Sequence, residues 1–571
     1  MAEIFSPVQN LPRIPDDLTL TQFILDCEHP CKPVRKVGVP WIIEDHSGKT
    51  LELEELRTRT YGLANALKIR YDIKEDDAVL IFSPNHVDYL VAIWAAHRLG
   101  AIVSGANPTF TTDELAYQVE ATKAGIILTH PDLLPVALSA ARASGIHSDH
   151  VIVFDAAGSE NLQVSTVQTL ITQGLASPPG FKERRLSPGE ARTKIAFYCF
   201  SSGTTGKPKA VAIPHYAPIA NIIQMAVFHK LNASDVPMEE QRFRPGDICS
   251  GGEYIYALVF NTHFMFFCGM SVVLTTRFSF ADFLKNIDSY RITHLILVPP
   301  MVVLLSKSPE VTKYDLSTVR FIKSGGAPLA PATLEQLIKC FPDASVGQGY
   351  GTTESSGGIS ISPIDRKRDV SGGSGILLPG IDARVERQDG SLAEFGEMGE
   401  LVIRSPSLAL GYAGNRLAME ETFINGWYRT GDEVKLTHTG EVFVIDRLKE
   451  MLKVRGYQVA PAELEGCILD HPDVADTCVV GVQDEYSGEI PLAFVVLHPG
   501  PAEHAREDPR VAEDMKQSIV KHVADRKAAY KKLAGGVEFV DAIPKNPSGK
   551  LLRRVLRDRA KELRPGPKAK L

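Results

Sequence analysis

Short apolar runs separated by amphipathic stretches constrain the fold of this chain most. Ala78–Phe82, Ile126–Thr129 and Val151–Phe154 are each long enough for a buried strand. Helical patterns fall between such runs: Val87, Leu90, Val91 and Trp94 share one helical face, and Gly100 follows as a stop. Alternation of this kind covers a sheet with helices and predicts α/β layers. No period marks a repeat architecture. At 571 residues the chain exceeds what one small core supports, so two or more domains are expected.

Charge and cysteine usage narrow the class. A formal net charge of -7 leaves no basic footprint for nucleic acid. The 8 cysteines (27, 31, 199, 249, 268, 340, 467 and 478) lack paired Cys-x-x-Cys spacing and mostly stand in apolar surroundings. They read as reduced core residues, not as a disulfide frame or zinc site. Met1 to Thr19 carries prolines and acidic residues where a secretory signal needs a charged start and an apolar stretch. Tyr254 to Thr276 is broken by Asn261, Thr262, His263 and Gly269, so a buried helix followed by a strand is expected. Leu295 to Leu305 is too short to span a bilayer and holds Pro299 and Pro300. No transmembrane segment is expected.

The chemistry begins behind the apolar run Ile195–Phe200, where Ser201, Ser202, Gly203, Thr204, Thr205, Gly206, Lys207, Pro208 and Lys209 follow in order. Glycines let a backbone fold closely around an oligophosphate, hydroxyls and N–H groups donate to its oxygens, and lysines offset its charge. A Walker loop is excluded, because Ser201 stands where it needs glycine and Pro208 where it needs Ser or Thr. The rival reading, a Ser/Thr/Gly linker, suits a shorter or less basic stretch.

Six further strings accompany it: Ser324-Gly325-Gly326-Ala327-Pro328-Leu329, Gly347 to Glu354, Trp427-Tyr428-Arg429-Thr430-Gly431-Asp432, Asp446-Arg447-Leu448-Lys449, Gly456 to Pro461, and Pro544 to Lys550. In this order the chain resembles the AMP-forming acyl-CoA synthetases, in the branch of coumarate:CoA ligases and luciferases. The resemblance implies the adenylate-forming fold: an α/β protein with a large multi-layer N-terminal domain over 1–446 and a small mobile α+β lid over 447–566. Residues 567–571 form an extended tail. Without it, the strand-like 441–445, the helical 461–469 with its leading proline and the strand-like 477–482 justify only a boundary nearby.

The same resemblance assigns roles. ATP and CoA are co-substrates with Mg²⁺, and an acyl-AMP intermediate precedes the thioester. Thr353 holds the α-phosphate and Glu354 ligates Mg²⁺, a hard cation that prefers oxygen; alone, the pair reads as a helix cap. Asp432 accepts the ribose hydroxyls and Arg447 adds a second contact, although a lone Thr-Gly-Asp is ordinary turn chemistry. Gly326, Ala327, Gly349, Tyr350, Gly351 and Thr352 complete the nucleotide site. Lys550 is the adenylation lysine, Lys449 the hinge, and Lys453, Gly456, Tyr457 and Gln458 face CoA after the lid turns, with Lys453 catalytic.

The acid pocket falls on Tyr254, Ile255, Tyr256, Phe260, Lys323, Gly326, Gly349, Gly357 and Gly358. Coumarate:CoA ligases commonly carry Phe-His-Ile-Tyr-Gly-Leu where this chain has Glu253-Tyr254-Ile255-Tyr256-Ala257-Leu258, so Tyr254 replaces a pocket histidine. Gly357 and Gly358 are expected to lengthen the pocket, for an aromatic or medium-to-long apolar acid. Ala569-Lys570-Leu571 resembles the Ser-Lys-Leu peroxisomal address, which implies an import receptor as partner, and otherwise a cytoplasmic protein. Rival readings are an adenylating enzyme that loads a carrier protein, a luciferase-like oxygenase, and a non-catalytic AMP-binding protein. The first lacks the Phe-Asp pair that anchors an amino acid, and the intact Lys550, Glu354, Asp432 and Lys453 weigh against the last.

Overall fold

The computed structural model describes residues 3–4, 11–155, 164–201, 208–251, 262–326, 329, 331–387, 389–447, 450–454, 457–484, 487–527, 529–545 and 551–564. For 3, 4, 457, 458 and 488 it describes the backbone alone.

Two largely parallel sheets form the centre. One runs Gly411–Tyr412, Lys209–Pro214, Ile195–Ser201, Ile102–Ala106, Ala78–Phe82, Ala124–Thr129, Val151–Val153. The other runs from Ile376–Leu377 through Gly357–Ile361, Ser345–Thr352, Phe321–Ser324, His294–Leu297, Ile248–Ser250 and Ser271–Leu274 to Ile42–Glu44 and Thr50–Leu51. Side-chain alternation decides which face meets which layer. Val79 and Ile81 enter the central core, whereas Ala78, Leu80 and Phe82 meet Leu115, Val119 and Ala137 on the outer helices.

Helices Tyr89–Arg98 and Tyr216–Phe228 share that central core with inward residues of both sheets, including Val103, Val272 and Phe321. A helix packed between two sheets has no solvent face, and residues 89–97 and 216–226 are accordingly buried all round. The helical face read at Val87, Leu90, Val91 and Trp94 is real, except that Val87 lies ahead of the Asp88 cap. Gly100 ends the turn at φ 76°. Within the apolar stretch 254–276, helix Thr262–Phe267 is followed by strand Ser271–Leu274, both buried. Among the described residues no helix is long and apolar enough to cross a membrane, and all eight cysteines are free.

Two smaller sheets follow. Asp382–Glu386, Met398–Arg404, Trp427–Leu436, Phe423–Ile424 and Val442–Arg447 pair antiparallel with one another, with Glu3–Ile4 at the edge. Beyond them Tyr457–Val459, Leu452–Val454, Gly488–Leu497, Val474–Asp484 and Gly536–Phe539 form a sheet of their own. Helix Pro461–Leu469, with proline in its first turn, packs against it, and its core draws on residues from 452 onward.

Candidate active site

Strand Ser345–Thr352 leaves the parallel sheet and turns back as Gly357–Ile361. Residues 353–356 close this hairpin, with Ser356 at φ 52°. No helix begins here, so the capping role that a lone Thr353-Glu354 suggests does not arise. Thr352 and Ser355 tie the turn: the Thr352 N–H donates to Ser355 Oγ at 3.0 Å, and the Ser355 N–H to Thr352 Oγ1 at 3.1 Å. Thr353 stays half-exposed, whereas Glu354 is 7% exposed.

Glu354 is held by two tyrosines remote in sequence. The Tyr412 hydroxyl donates to Oε1 at 2.9 Å and the Tyr428 hydroxyl approaches Oε2 at 3.4 Å. Burial, then the Glu354 charge, raises both phenols above their ordinary pKa, so they stay protonated and act as donors. Lys209 Nζ lies 4.8 Å from the centre of the Tyr412 ring. Ser201 and Lys209 are paired across their strands. The Tyr117 hydroxyl donates to the Pro208 carbonyl at 3.0 Å.

Asp432 lies opposite Arg447 on paired strands. Arg447 Nε is 3.3 Å from Oδ1, and the Tyr350 hydroxyl donates to Oδ2 at 2.6 Å. Burial opposes the Arg447 charge, but Asp432 and Glu450 with nearby tyrosines raise its pKa above the usual value. Arg429 is drawn elsewhere, to Glu386 and Glu400. The sequence-predicted Tyr350, Asp432 and Arg447 therefore meet around one buried carboxylate, that of Asp432.

Gly351 permits the tight hairpin, since a Cβ there would stand 2.0 Å from the Gly357 carbonyl oxygen. The expectation that Gly357 and Gly358 lengthen the acid pocket is corrected by their surroundings. Gly357 sits at φ 140°, and a Cβ on it would fall 2.1 Å from Asn221 Oδ1. A Cβ on Gly358 would meet Leu378 at 3.2 Å. Asn221 also bridges Gly358, donating to its carbonyl at 2.9 Å and accepting its N–H at 3.1 Å. The volume these glycines vacate is thus occupied by protein, and they serve the turn.

Lys323 and Gly349 are neighbours across strands Phe321–Ser324 and Ser345–Thr352, and a Cβ at 349 would strike Lys323 Cε at 2.4 Å. Gly326 sits at φ 91° with open space on its Cβ side. On the small sheet Lys453 is exposed, its backbone N–H donating to Glu489 at 2.8 Å, and it lies opposite Gln458 while Val454 faces Tyr457.

Of the predicted residues, Ser202, Gly203, Thr204, Thr205, Gly206, Lys207, Tyr254, Ile255, Tyr256, Phe260, Ala327, Lys449, Gly456, Lys550, Ala569, Lys570 and Leu571 lie outside the described residues. Sequence reasoning passed over Asn221, Tyr412, Tyr428 and Arg553. Arg553 pairs with Glu450 at 2.7 Å and Glu465 at 2.5 Å, while Asp446 accepts the Ala462 N–H at 3.1 Å. This buried cluster ties the end of strand Val442–Arg447 to helices Pro461–Leu469 and Arg553–Leu563. Only Tyr428 carried a signal, its place in the Trp427–Asp432 string.

Residues 32–413 match the profile described as AMP-binding enzyme, and 463–550 that described as AMP-binding enzyme C-terminal domain. An acyl-CoA ligase of Alternaria alternata is 34% identical over 568 residues, covering 95% of each chain. A 4-coumarate–CoA ligase-like protein of Oryza sativa subsp. japonica is 33% identical over 537 residues, 91% of this chain and 90% of its own. The solved structure of ATP-bound MatB from Rhodopseudomonas palustris matches with a TM-score of 0.79 at 24% identity, covering 96% of this chain and 99% of that one. At that identity the likeness speaks for the fold.

Proposed function

The chain belongs to the AMP-binding enzyme family and is an AMP-forming acid–thiol ligase, and on that premise we propose that it joins CoA to an aromatic, phenylpropanoid-like, or medium-to-long and mainly apolar carboxylic acid. The observation that carries the reading is the meeting of Tyr350, Asp432 and Arg447 beside the hairpin that ends in buried Glu354. Asp432 offers carboxylate oxygens for the ribose hydroxyls, in place of the Tyr350 hydroxyl it now accepts.

A carboxylate is a poor electrophile, so a leaving group must be installed first. Its oxygen attacks the α-phosphorus of ATP, the bond to pyrophosphate breaks, and acyl-AMP forms. The CoA thiolate then attacks the acyl carbonyl and AMP leaves. In our reading Thr353 donates to the α-phosphate, and Lys550 stabilises charge as it builds there. Lys453 and the 456–458 strip face CoA, and Lys449 is the hinge between 1–446 and 447–566. One buried carboxylate fits Mg²⁺ held otherwise by nucleotide phosphates and water, so Glu354 would be its protein ligand, and the ion would neutralise phosphate charge. The tail over 567–571 is read as an address for the peroxisomal matrix.

The test is product identity. Purified protein with MgATP, CoA and a panel of cinnamic, benzoic and fatty acids is expected to yield AMP, pyrophosphate and an acyl-CoA. Formation of ADP, or no turnover by folded protein that binds ATP, would overturn the reading.

A further inference from the structure

Glu354 stands where three sheets meet. It lies in the hairpin at the end of the nine-stranded sheet, yet its carboxylate is held from the other two: Tyr412 belongs to the edge strand of the seven-stranded sheet and Tyr428 to the small antiparallel one. The main chain is pinned as well, because the Ala409 N–H donates to the Glu354 carbonyl at 2.8 Å. Segment 409–413 is in turn stitched to the strand that begins at Lys209. Gly411 and Tyr412 pair with Ala212 and Val211, and the Leu410 and Ala413 N–H groups donate to the Ala212 and Ala210 carbonyls at 2.9 and 2.8 Å.

Neither phenol is free to swing. Phe423 packs on both, edge-on to Tyr412 at 5.9 Å and stacked on Tyr428 at 5.3 Å between centroids, and both tyrosines are buried. A phenol has one proton to donate, and Tyr412 gives its own to Oε1 at 2.9 Å. The Tyr428 contact with Oε2, at 3.4 Å, is longer than an ordinary O–H···O bond and so holds less firmly. Each carboxylate oxygen accepts in more than one direction. A donor fixed on one side therefore sets how the group is turned and leaves lone pairs for a cation.

We propose that Tyr412 is a positioning residue for acyl-AMP formation: its hydroxyl sets the orientation in which Glu354 meets the Mg²⁺ carried by ATP, and its strand ties that carboxylate to Lys209, where the string from Ser201 to Lys209 ends. This rests on the reading of Glu354 as the Mg²⁺ ligand. Lys209 Nζ lies 4.8 Å from the centre of the Tyr412 ring, so one side chain touches both the cation at the end of the string and the anion of the hairpin. Removing the hydrogen-bond partner of a metal-binding group commonly lowers metal affinity about 10–100-fold.

The experiment is equilibrium dialysis of ATP against full-length enzyme without acid or CoA, once with Mg²⁺ and once with EDTA. The ratio of the two affinities reads the coupling between nucleotide and ion. Tyr412→Phe keeps the ring beside Lys209 and should lower that ratio about tenfold while leaving the affinity in EDTA unchanged. Tyr428→Phe, which removes the longer contact, should lower it less, and Glu354→Gln should abolish the coupling. Thermal unfolding shows that each variant is folded. Should Tyr412→Phe not fold, Gly411→Ala decides, since an L-residue at φ 132° with its Cβ 3.1 Å from Met419 shifts Tyr412 but keeps its hydroxyl. A ratio in Tyr412→Phe that is unchanged or raised, or an equal loss with and without Mg²⁺, overturns the inference, the equal loss leaving the phenol a purely structural role. If Glu354→Gln keeps the wild-type ratio, the Mg²⁺ reading falls and the inference with it.

Discussion

Replacing Gly357 by alanine separates a turn from a pocket. At φ 140° an L-residue occupies backbone that costs about 1–3 kcal/mol. Its Cβ would stand 2.1 Å from Asn221 Oδ1 and 2.8 Å from Cγ, so the amide must leave. Departure breaks the bonds at 2.9 and 3.1 Å that Asn221, 1% exposed, makes with Gly358. Each is worth about 0.5–1.5 kcal/mol net, and both Gly358 groups would then be buried without partners. The total is about 2–6 kcal/mol, spent within three residues of Glu354. Thermal unfolding should therefore fall clearly, and kcat/KM should drop by a common factor for short and long acids. In the double variant with Asn221→Ala the clash disappears and the strain remains, so a coupling of about 0.5–3 kcal/mol is expected. Wild-type unfolding with losses confined to the largest acids would refute this and restore the glycines to the pocket.

Arg553→Met strips the partner from Glu450 and Glu465; leaving the buried Glu465 carboxylate unpaired should cost about 3–5 kcal/mol, and a loss near zero in denaturant titration would mean that water screens the pairs. A fluorescent protein ending in residues 560–571 should join a peroxisomal marker and lose that pattern without Leu571; diffuse signal from the intact tail would make the tripeptide coincidence.

What the sequence determined by itself is local or carried by a motif. Hydrophobic period placed strands 78–82 and 195–200 and helix 461–469, since burial of one face acts over a few residues. The order of the seven strings placed Tyr350, Asp432 and Arg447 in one site, although their contact spans 82 residues from Tyr350 to Asp432. Only the tertiary structure decided what surrounds them. Tyr412 reaches Glu354 from the edge strand of the seven-stranded sheet and Tyr428 from the small antiparallel sheet, 58 and 74 residues away. Glycines at 357 and 358 look like empty pocket in a linear reading, yet Asn221, 137 residues from Gly358 on the helix between the sheets, fills that room. Arg553 carried no signal, for Glu450 and Glu465 stand 103 and 88 residues before it. Periodicity records which side of an element is buried; packing of layers chooses the neighbour, and that choice fixes the charge and volume of the site.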